Sequence, residues 1–279
     1  MPALIAASAV KTCFGDLDAT FDALLAGRSG IAELCGFDQR KLNVVRAYPI
    51  ADTGSPPLFR ASAWLAQCIS EALGRAGVDL RKQRTCAIVG TGLRELRAVE
   101  LLAEDEAPWP AHRLHFGSVL RTAAPGIGQV ITISNACSAA GHCLALAQDM
   151  LELGELDVVI VGAADSMTES MLAMIGRVVD APTDALRPFD ADRQGVLLGE
   201  GAAALVLVAE GKCSNPLARL LSTGMSCDAR HPTAPDPQGI RRAMRDALTR
   251  AERSAAEVDL VIAHGTGTPL NDPIESDSI

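Results

Sequence analysis

The chain has few aromatic side chains and no long apolar run. Aromatic residues make up 3% of its 279 residues, so a core must be built from closely spaced aliphatic side chains. Hydrophobic residues, at 48%, are numerous enough to supply such a core. No apolar run reaches the roughly 18 residues that a membrane-spanning helix needs. These observations predict a globular protein without a membrane partner.

Metal-binding and disulfide motifs are also missing from the sequence. The eight cysteines are scattered without a C-x-x-C pair, which fits neither a zinc site nor a small disulfide scaffold. A net charge of −9 argues against nucleic acid as a partner. The apolar residues 1–10 lack the basic segment of a signal peptide, so we interpret them as a first strand. We therefore expect a reduced, cytoplasmic protein without a metal site.

Segments rich in valine and isoleucine alternate with helical patterns along the chain. Strands are predicted at 85–90, 129–134, 157–162, 202–208 and 258–264. Several of them are apolar at consecutive positions, which is typical of strands buried on both faces. Apolar residues at helical spacing predict helices at 58–73 and 138–153, and Asp236 with Pro237 predicts the N-cap and first turn of another. The alternation indicates a layered α/β protein with a largely parallel sheet.

Cys137 is the first candidate for chemistry. It follows a predicted buried strand, in a short turn before a helix that begins with small residues. A thiol at a helix N-terminus faces unpaired N–H groups and the positive end of the helix dipole, and both favour the reactive thiolate. The small residues leave room for a substrate to approach. This setting alone leaves a buried structural cysteine as an equal alternative.

His264 is the second candidate. It ends the last predicted strand and opens a loop of glycine and threonine at 265–268. Ligands gather at the carboxyl ends of strands in α/β sheets, and a histidine there suits acid–base work or the stabilisation of an oxyanion. Taken alone, a histidine before a turn is more often a surface or capping residue.

Several segments, in order, carry a resemblance to a known family. Residues 135–141 (Asn-Ala-Cys-Ser-Ala-Ala-Gly) resemble the nucleophile segment of β-ketoacyl synthases, and 187–207 resemble the long signature in the middle of their chain. Residues 228–235 and 264–275 are similar to two further family segments, and 24–31 match the usual early stretch. The resemblance runs over nearly the whole chain. It implies a thiolase-like fold with αβαβα layers.

The resemblance also implies roles for individual residues. Cys137 corresponds to the nucleophile that accepts an acyl group from a phosphopantetheine thioester, and its backbone N–H to one donor of the oxyanion hole. His264 corresponds to the first of two active-site histidines that hold the malonyl carbonyl as the enolate develops. Thr266 and Thr268 match threonines that line the pantetheine channel. Glu275 matches an acidic residue behind the site that organises the family's lysine and histidine. His231 lies in a loop that the family places near the pocket.

The sequence departs from the family pattern after residue 275. The family's enzymes continue with a lysine, a second histidine and a glycine-rich loop, and none of these follows here. We expect a chain truncated after the start of its second half. Residues 1–255 would then form the N-terminal thiolase-like domain, and 256–279 would begin the C-terminal half.

The function implied is a decarboxylative Claisen condensation in fatty-acid or polyketide biosynthesis. An acyl group on Cys137 would condense with malonyl-acyl carrier protein, without a metal or organic cofactor, because the pantetheine belongs to the substrate. The expected partners are acyl carrier protein thioesters and a second subunit, either in a homodimer or in a heterodimer of synthase and chain-length factor. Two alternatives remain open. One is a non-condensing acyltransferase, and the other is a catalytically incomplete partner that resembles a chain-length factor.

Overall fold

The structure is a computed structural model that describes residues 3–52, 58–106, 108, 111–177, 182–231 and 233–279. The strands in this part of the chain are β1 (Ala3–Lys11), β2 (Ala32–Glu33), β3 (Arg46–Ala47), β4 (Thr85–Gly90), β5 (Gln129–Ile133), β6 (Val158–Asp165), β7 (Gly201–Val208) and β8 (Ala218–Leu220). The α-helices are α1 (Leu17–Leu25), α2 (Arg60–Ala76), α3 (Leu96–Glu104), α4 (Gly117–Ala123), α5 (Ala139–Glu152), α6 (Glu169–Gly176), α7 (Pro237–Arg250) and α8 (Asn271–Ser276).

The chain divides into two compact units. The first unit comprises residues 1–32, 48–171 and 199–220. The second unit comprises residues 33–47, 172–198 and 221–279. No helix in the described ranges has both the length and the apolar character that crossing a membrane requires.

A six-stranded sheet in the order β5-β4-β6-β7-β1-β8 forms the centre of the first unit. β4 pairs in parallel with both β5 and β6, whereas β7 is antiparallel to β6 and to β1, and β8 is antiparallel to β1. The sheet is therefore mixed, and the prediction of a largely parallel sheet is wrong for its β7 side. Strand direction depends on how the connecting segments return the chain, which periodicity does not reveal.

β4 shows why the strand at 85–90 was predictable. All six of its residues are buried, as the consecutive apolar pattern indicates. Ala87 and Val89 pack into a cluster with α2, whereas Cys86 and Ile88 pack into a second cluster with α5. This alternation follows from the two-residue period of a strand. Helices thus cover both faces of the sheet, and the core is aliphatic as expected.

The first core cluster is centred on α2. This helix buries Trp64, Leu65, Cys68 and Ile69, and it ends at Gly77, whose φ of +63° is the left-handed conformation that glycine adopts without steric cost. On the opposite face of the sheet, α5 buries residues that include Cys143, Ala147 and Leu151.

The second unit contains α7 and α8. α7 begins as predicted: the Asp236 side chain accepts a hydrogen bond from Gly239 N at 2.7 Å, and Pro237 occupies the first turn. The predicted strand at 258–264 is wrong. Within the described ranges no strand pairs with this segment, and Leu260 and Ile262 are 74% and 91% exposed. The Val/Ile pattern cannot by itself provide the hydrogen-bonding neighbour that a strand needs.

Candidate active site

Cys137 lies in a tight turn in the first unit. The turn, a 3₁₀ element at Ala136–Ser138, follows β5 after two residues and leads directly into α5. Ala136 has a φ of +46°, a left-handed conformation that costs a non-glycine residue roughly 1–2 kcal/mol. Cys137 itself is exposed. The local fold therefore presents the thiol beside the carboxyl end of β5 and at the start of a helix.

Hydrogen bonds among nearby residues hold this turn in place. The Asn135 side-chain amide donates to Ser138 Oγ at 3.1 Å, and Ser138 Oγ donates to the Asn135 carbonyl oxygen at 3.0 Å. His142 Nδ1 lies 3.0 Å from the Ser138 carbonyl oxygen, one helical turn along α5. The half-buried His142 ring therefore belongs to the hydrogen-bonded group at the start of α5.

Gly90 allows the end of β4 to approach the start of α5 closely, and Gly92 in the next loop lies near the turn. A Cβ added at Gly90 would lie 2.7 Å from Ala140 N and 2.8 Å from the Ala139 carbonyl carbon. A Cβ at Gly92 would lie 3.9 Å from Ala136 Cα. The carboxyl end of β4 is therefore packed against the backbone on either side of Cys137.

Asp165 is the last residue of β6 and binds the loop that follows β4. Its carboxylate accepts hydrogen bonds from Thr91 Oγ1 at 2.7 Å, from Gly92 N at 2.9 Å and from Leu93 N at 2.8 Å. The carboxyl ends of β4 and β6 are adjacent because these strands are parallel neighbours. A single aspartate thus fixes the loop after β4, which lies close to the Cys137 turn.

Buried thiols elsewhere in the first unit differ from Cys137. Burial raises the pKa of Cys143 and Cys86 to about 11, and burial aided by the charge of Glu71 raises the pKa of Cys68 to about 11. These three side chains pack in the core. They stay protonated near neutral pH and are structural.

His264 lies in the second unit, at the start of a loop held by a carboxylate. Glu275, on α8, accepts hydrogen bonds from His264 N at 2.7 Å and from Gly265 N at 2.8 Å. Gly265 has a φ of +52° and Gly267 a φ of +72°, so the loop uses the conformations that glycine allows. Glu275 is buried, whereas His264 is exposed.

The two threonines of this loop contact each other. Thr266 Oγ1 lies 2.9 Å from Thr268 Oγ1, and Thr268 Oγ1 accepts a hydrogen bond from Asn271 N at 3.1 Å. The Asn271 side chain in turn donates to Glu275 at 3.2 Å. Thr268 therefore helps to start α8, and the loop and the helix form one hydrogen-bonded structure.

Asp272 joins this loop to the segment at 187–195. Its carboxylate accepts hydrogen bonds from Phe189 N at 2.7 Å and from Gly267 N at 3.1 Å. Burial opposes ionisation, but these hydrogen bonds and that of the Asn271 side chain together hold the pKa of Asp272 below its usual range. A Cβ at Gly265 would lie 3.1 Å from the Phe189 ring. Two motifs that are distant in sequence are thus in contact within the second unit.

His231 lies in a different loop of the second unit. Its Nδ1 accepts hydrogen bonds from Thr233 N at 3.1 Å and from Ala234 N at 2.9 Å. The ring therefore caps a turn in its own loop and is exposed. Within the described ranges, no group of three or more histidine, cysteine, aspartate or glutamate side chains could hold a metal ion.

Comparisons with known proteins identify the family of this chain. Residues 58–212 match the model of the "Beta-ketoacyl synthase, N-terminal domain", and residues 217–279 match that of the "Beta-ketoacyl synthase, C-terminal domain". The chain belongs to the β-ketoacyl synthase family. The two matches meet between residues 212 and 217, and the division at residue 255 suggested by the sequence stays a prediction.

Individual β-ketoacyl synthase relatives support the assignment. The chain is 39% identical over 157 residues to "Nodulation protein E" of Rhizobium meliloti, which covers 54% of this chain and 39% of that protein. It is 30% identical over 247 residues to "3-oxoacyl-[acyl-carrier-protein] synthase 2" of Mycobacterium tuberculosis (strain CDC 1551 / Oshkosh), which covers 80% of this chain and 59% of that protein. The chain thus spans about half the length of these curated relatives.

A solved structure confirms the fold. "The ishigamide ketosynthase/chain length factor" superposes with a TM-score of 0.90 at 30% identity, covering 100% of this chain and 76% of that chain. The thiolase-like α/β fold expected from the sequence is confirmed by this match.

The structure places the expected β-ketoacyl synthase residues in two groups. Cys137 belongs to the first unit, and the remaining five belong to the second. Within the second unit, hydrogen bonds connect the loop of His264, Thr266 and Thr268 with Glu275, whereas His231 bonds within its own turn. The roles of all six residues stay predictions.

Sequence reasoning missed Asp165 and the contacts of Asp272. Asp165 ends β6, three residues beyond the strand predicted at 157–162. The carboxyl end of a parallel strand is where functional side chains gather, so its position was a usable signal. Asp272 stands inside a segment that resembles the family, but its partner Phe189 is far away in sequence. No local pattern reveals such a pairing.

Proposed function

We propose that this chain carries out β-ketoacyl synthase chemistry on a thioester held at Cys137. The observation that carries the proposal is the exposed cysteine in a strained turn at the start of α5. The Cys137 thiolate attacks the carbonyl carbon of an acyl thioester, and the pantetheine thiol leaves. Loss of CO₂ from a malonyl thioester gives an enolate that attacks the acyl-cysteine carbon, which releases the Cys137 thiolate and the 3-oxoacyl product.

The start of α5 offers the electrostatic support that acyl transfer needs. Negative charge develops on the thioester oxygen, and the backbone N–H of Cys137 together with the positive end of the helix dipole stabilises it. The small residues Ala136, Ser138 and Ala139 leave the approach to the thiol open.

We assign His264 to the malonyl carbonyl. A histidine whose backbone is anchored by the buried Glu275 is well suited to donate to an oxygen that becomes negative during decarboxylation. Glu275 then acts as a positioning residue through the loop backbone. Thr266 and Thr268 are assigned to the pantetheine and His231 to the edge of the pocket, all with less support because their hydrogen bonds also serve the local fold.

The proposed partner is an acyl carrier protein. The relatives include proteins named as 3-oxoacyl-[acyl-carrier-protein] synthases, and one solved neighbour is described as a ketosynthase with its acyl-carrier protein. A second subunit, identical or related as in the ketosynthase/chain length factor, is part of the proposal. A cytoplasmic location accords with eight cysteines that form no disulfide.

An acylation experiment tests this function. The purified chain is incubated with an acyl-acyl carrier protein, and adducts are located by intact mass and peptide mapping. We expect one acyl group on Cys137 and none in Cys137→Ala. Cys227→Ala, at another exposed cysteine, serves as the matched control and should be acylated like the wild type.

Addition of malonyl-acyl carrier protein separates the remaining functions. A 3-oxoacyl product that falls about a hundredfold to a thousandfold in His264→Ala supports condensation and the role of His264. Acylation of Cys137 without condensation would indicate a non-condensing acyltransferase. Absence of any adduct on Cys137 would refute the nucleophile assignment and favour a partner subunit without its own catalysis.

A further inference from the structure

We propose that Asp165 is a positioning residue for the nucleophile. Its carboxylate holds the loop at 91–94 against the turn that carries Cys137, and it thereby fixes the orientation of the thiol. The inference rests on the proposed role of Cys137 as the nucleophile.

The first observation is that several hydrogen bonds converge on the Asp165 carboxylate. Oδ1 accepts from Thr91 Oγ1 at 2.7 Å and from Leu93 N at 2.8 Å, and Oδ2 accepts from Gly92 N at 2.9 Å. Each hydrogen bond to a charged acceptor contributes more than a neutral one. One side chain on β6 therefore immobilises three consecutive residues of the loop after β4.

The second step is a relay through Thr91. The Thr91 hydroxyl donates to Asp165 and accepts from Arg94 N at 2.7 Å. Arg94 has a φ of +54°, a conformation that a non-glycine residue adopts only when its surroundings impose it. Thr91 N also donates to the Ile133 carbonyl oxygen at 3.0 Å, at the end of β5. The loop is thus fixed between β5 on one side and Asp165 on the other.

The third step connects the loop to the Cys137 turn. Gly92 lies close to Ala136: a Cβ added at Gly92 would lie 3.9 Å from Ala136 Cα, the distance of ordinary van der Waals contact. Ala136 precedes the nucleophile directly and has the strained φ of +46°. A strained turn needs neighbours that hold it, and the loop bound by Asp165 is one such neighbour. Release of the loop allows the turn to relax and the thiol to rotate away.

Alkylation kinetics test the proposal without any acyl substrate. The rate constant for reaction of Cys137 with iodoacetamide is measured by peptide mapping, with exposed Cys227 in the same sample as an internal reference. In Asp165→Ala we expect the Cys137 rate to fall by about tenfold or more, because a thiol that rotates away from the start of α5 loses the N–H groups and helix dipole that favour its reactive thiolate. The Cys227 rate should stay unchanged. Acylation should show the loss in kcat with little change in KM.

Asp157→Ala is the matched control. Asp157 directly precedes β6 at the strand's other end, and its carboxylate accepts from Arg84 N at 3.0 Å and pairs with the Arg84 guanidinium. This variant also loses several charged hydrogen bonds, but it should leave the reactivity of Cys137 at the wild-type level. Equal slowing in both variants would mean that Asp165 acts only through general stability, and the proposal would be overturned.

Thr91→Val keeps the proposal testable if Asp165→Ala does not fold. It removes only the relay hydroxyl, and we expect a smaller fall in the Cys137 rate than that from a complete loss of Asp165. A wild-type Cys137 rate in every variant that folds, Thr91→Val alone included, would overturn the positioning role. If wild-type Cys137 accepts no acyl group, the proposed function fails, yet the alkylation comparison still decides whether Asp165 positions the thiol.

Discussion

At the scale of single residues, Glu95 carries an ionisable group in surroundings that do not support its charge. The side chain is fully buried, and Oε1 accepts a hydrogen bond from Ser62 N at 2.5 Å. Oε2 has no hydrogen-bond partner within the described ranges. Burial raises the pKa of this carboxyl, although the hydrogen bonds from Ser62 and the charge of Arg113 oppose the shift. The pKa of Glu95 is therefore higher in the folded chain than in the unfolded chain.

This pKa shift predicts that Glu95→Gln stabilises the folded chain, and that the gain in stability depends on pH. Because the pKa is raised on folding, the stability contributed by protonated Glu95 is present below the ordinary carboxyl range and is lost as pH rises through the raised pKa. Glutamine cannot ionise and avoids this loss. We expect the variant to have a Tm higher than the wild type by roughly 2–4 °C near pH 8, which is about 1 kcal/mol, and a smaller difference near pH 4.5.

Glu104→Gln provides the control for this measurement. Glu104 lies at the exposed end of α3, so its neutralisation should leave the Tm unchanged at both pH values. If Glu95→Gln were less stable than the wild type to the same extent at both pH values, ionisation of the buried Glu95 carboxyl would not be what costs stability.

Single residues also show what the sequence could and could not reveal. Cys137 was recognisable because a strand, a short turn and a helix are all local features, and the structure has each of them. The raised pKa of Glu95 and the hydrogen bonds of Asp165 could not be predicted from the sequence. They depend on Ser62 and on residues 91–93, which reach these side chains only in the folded chain.

At the scale of elements, the close packing of β4 against α5 depends on Gly90. A Cβ there would lie 2.7 Å from Ala140 N and 3.0 Å from the Ala139 carbonyl oxygen, which are backbone atoms that cannot rotate away. We expect Gly90→Ala to lower the free energy of unfolding by about 1–3 kcal/mol, as other overpacking substitutions do. The same displacement of the helix start should slow the alkylation of Cys137. Urea denaturation and peptide mapping measure the two effects.

Gly74→Ala is the matched substitution for Gly90→Ala. Gly74 lies in the interior of α2, and a Cβ there would meet nothing within 4 Å. Alanine in a helix interior is favoured over glycine by roughly 0.5–1 kcal/mol, so this variant should be slightly more stable than the wild type. If Gly90→Ala also gained stability, the tight contact at the helix start would not exist in solution.

Elements differ in how well their sequence predicts them. β4, β5, β6 and β7 were predicted within a few residues because each is rich in valine, isoleucine and other apolar residues. The segment at 258–264 has a similar pattern but no strand pairing, since pairing is a property of two segments and not of one. For the same reason the antiparallel direction of β7 was not predictable.

At the scale of the whole molecule, one short stretch of the second unit exposes four large apolar side chains. We define the apolar segment as residues 258–262, in which Val258, Leu260, Val261 and Ile262 are 46%, 74%, 48% and 91% exposed. Soluble proteins rarely expose several large apolar side chains side by side. Leu153, directly after α5 in the first unit, is 73% exposed, and among the described residues no other exposed large apolar side chain lies near it in the sequence.

This contrast predicts where a hydrophobic dye binds. We expect the chain to enhance the fluorescence of anilinonaphthalene sulfonate and to associate as its concentration rises, and we expect Leu260→Asp combined with Ile262→Asp to roughly halve the dye signal and to reduce light scattering. Both side chains are largely exposed, so the substitutions should not lower the Tm. Leu153→Asp matches Leu260→Asp in exposure and in added charge, and it should leave the dye signal nearly unchanged because a single exposed leucine forms no patch. Equal reductions from both variants would mean that net charge governs dye binding, and the apolar segment would then have no special part in association.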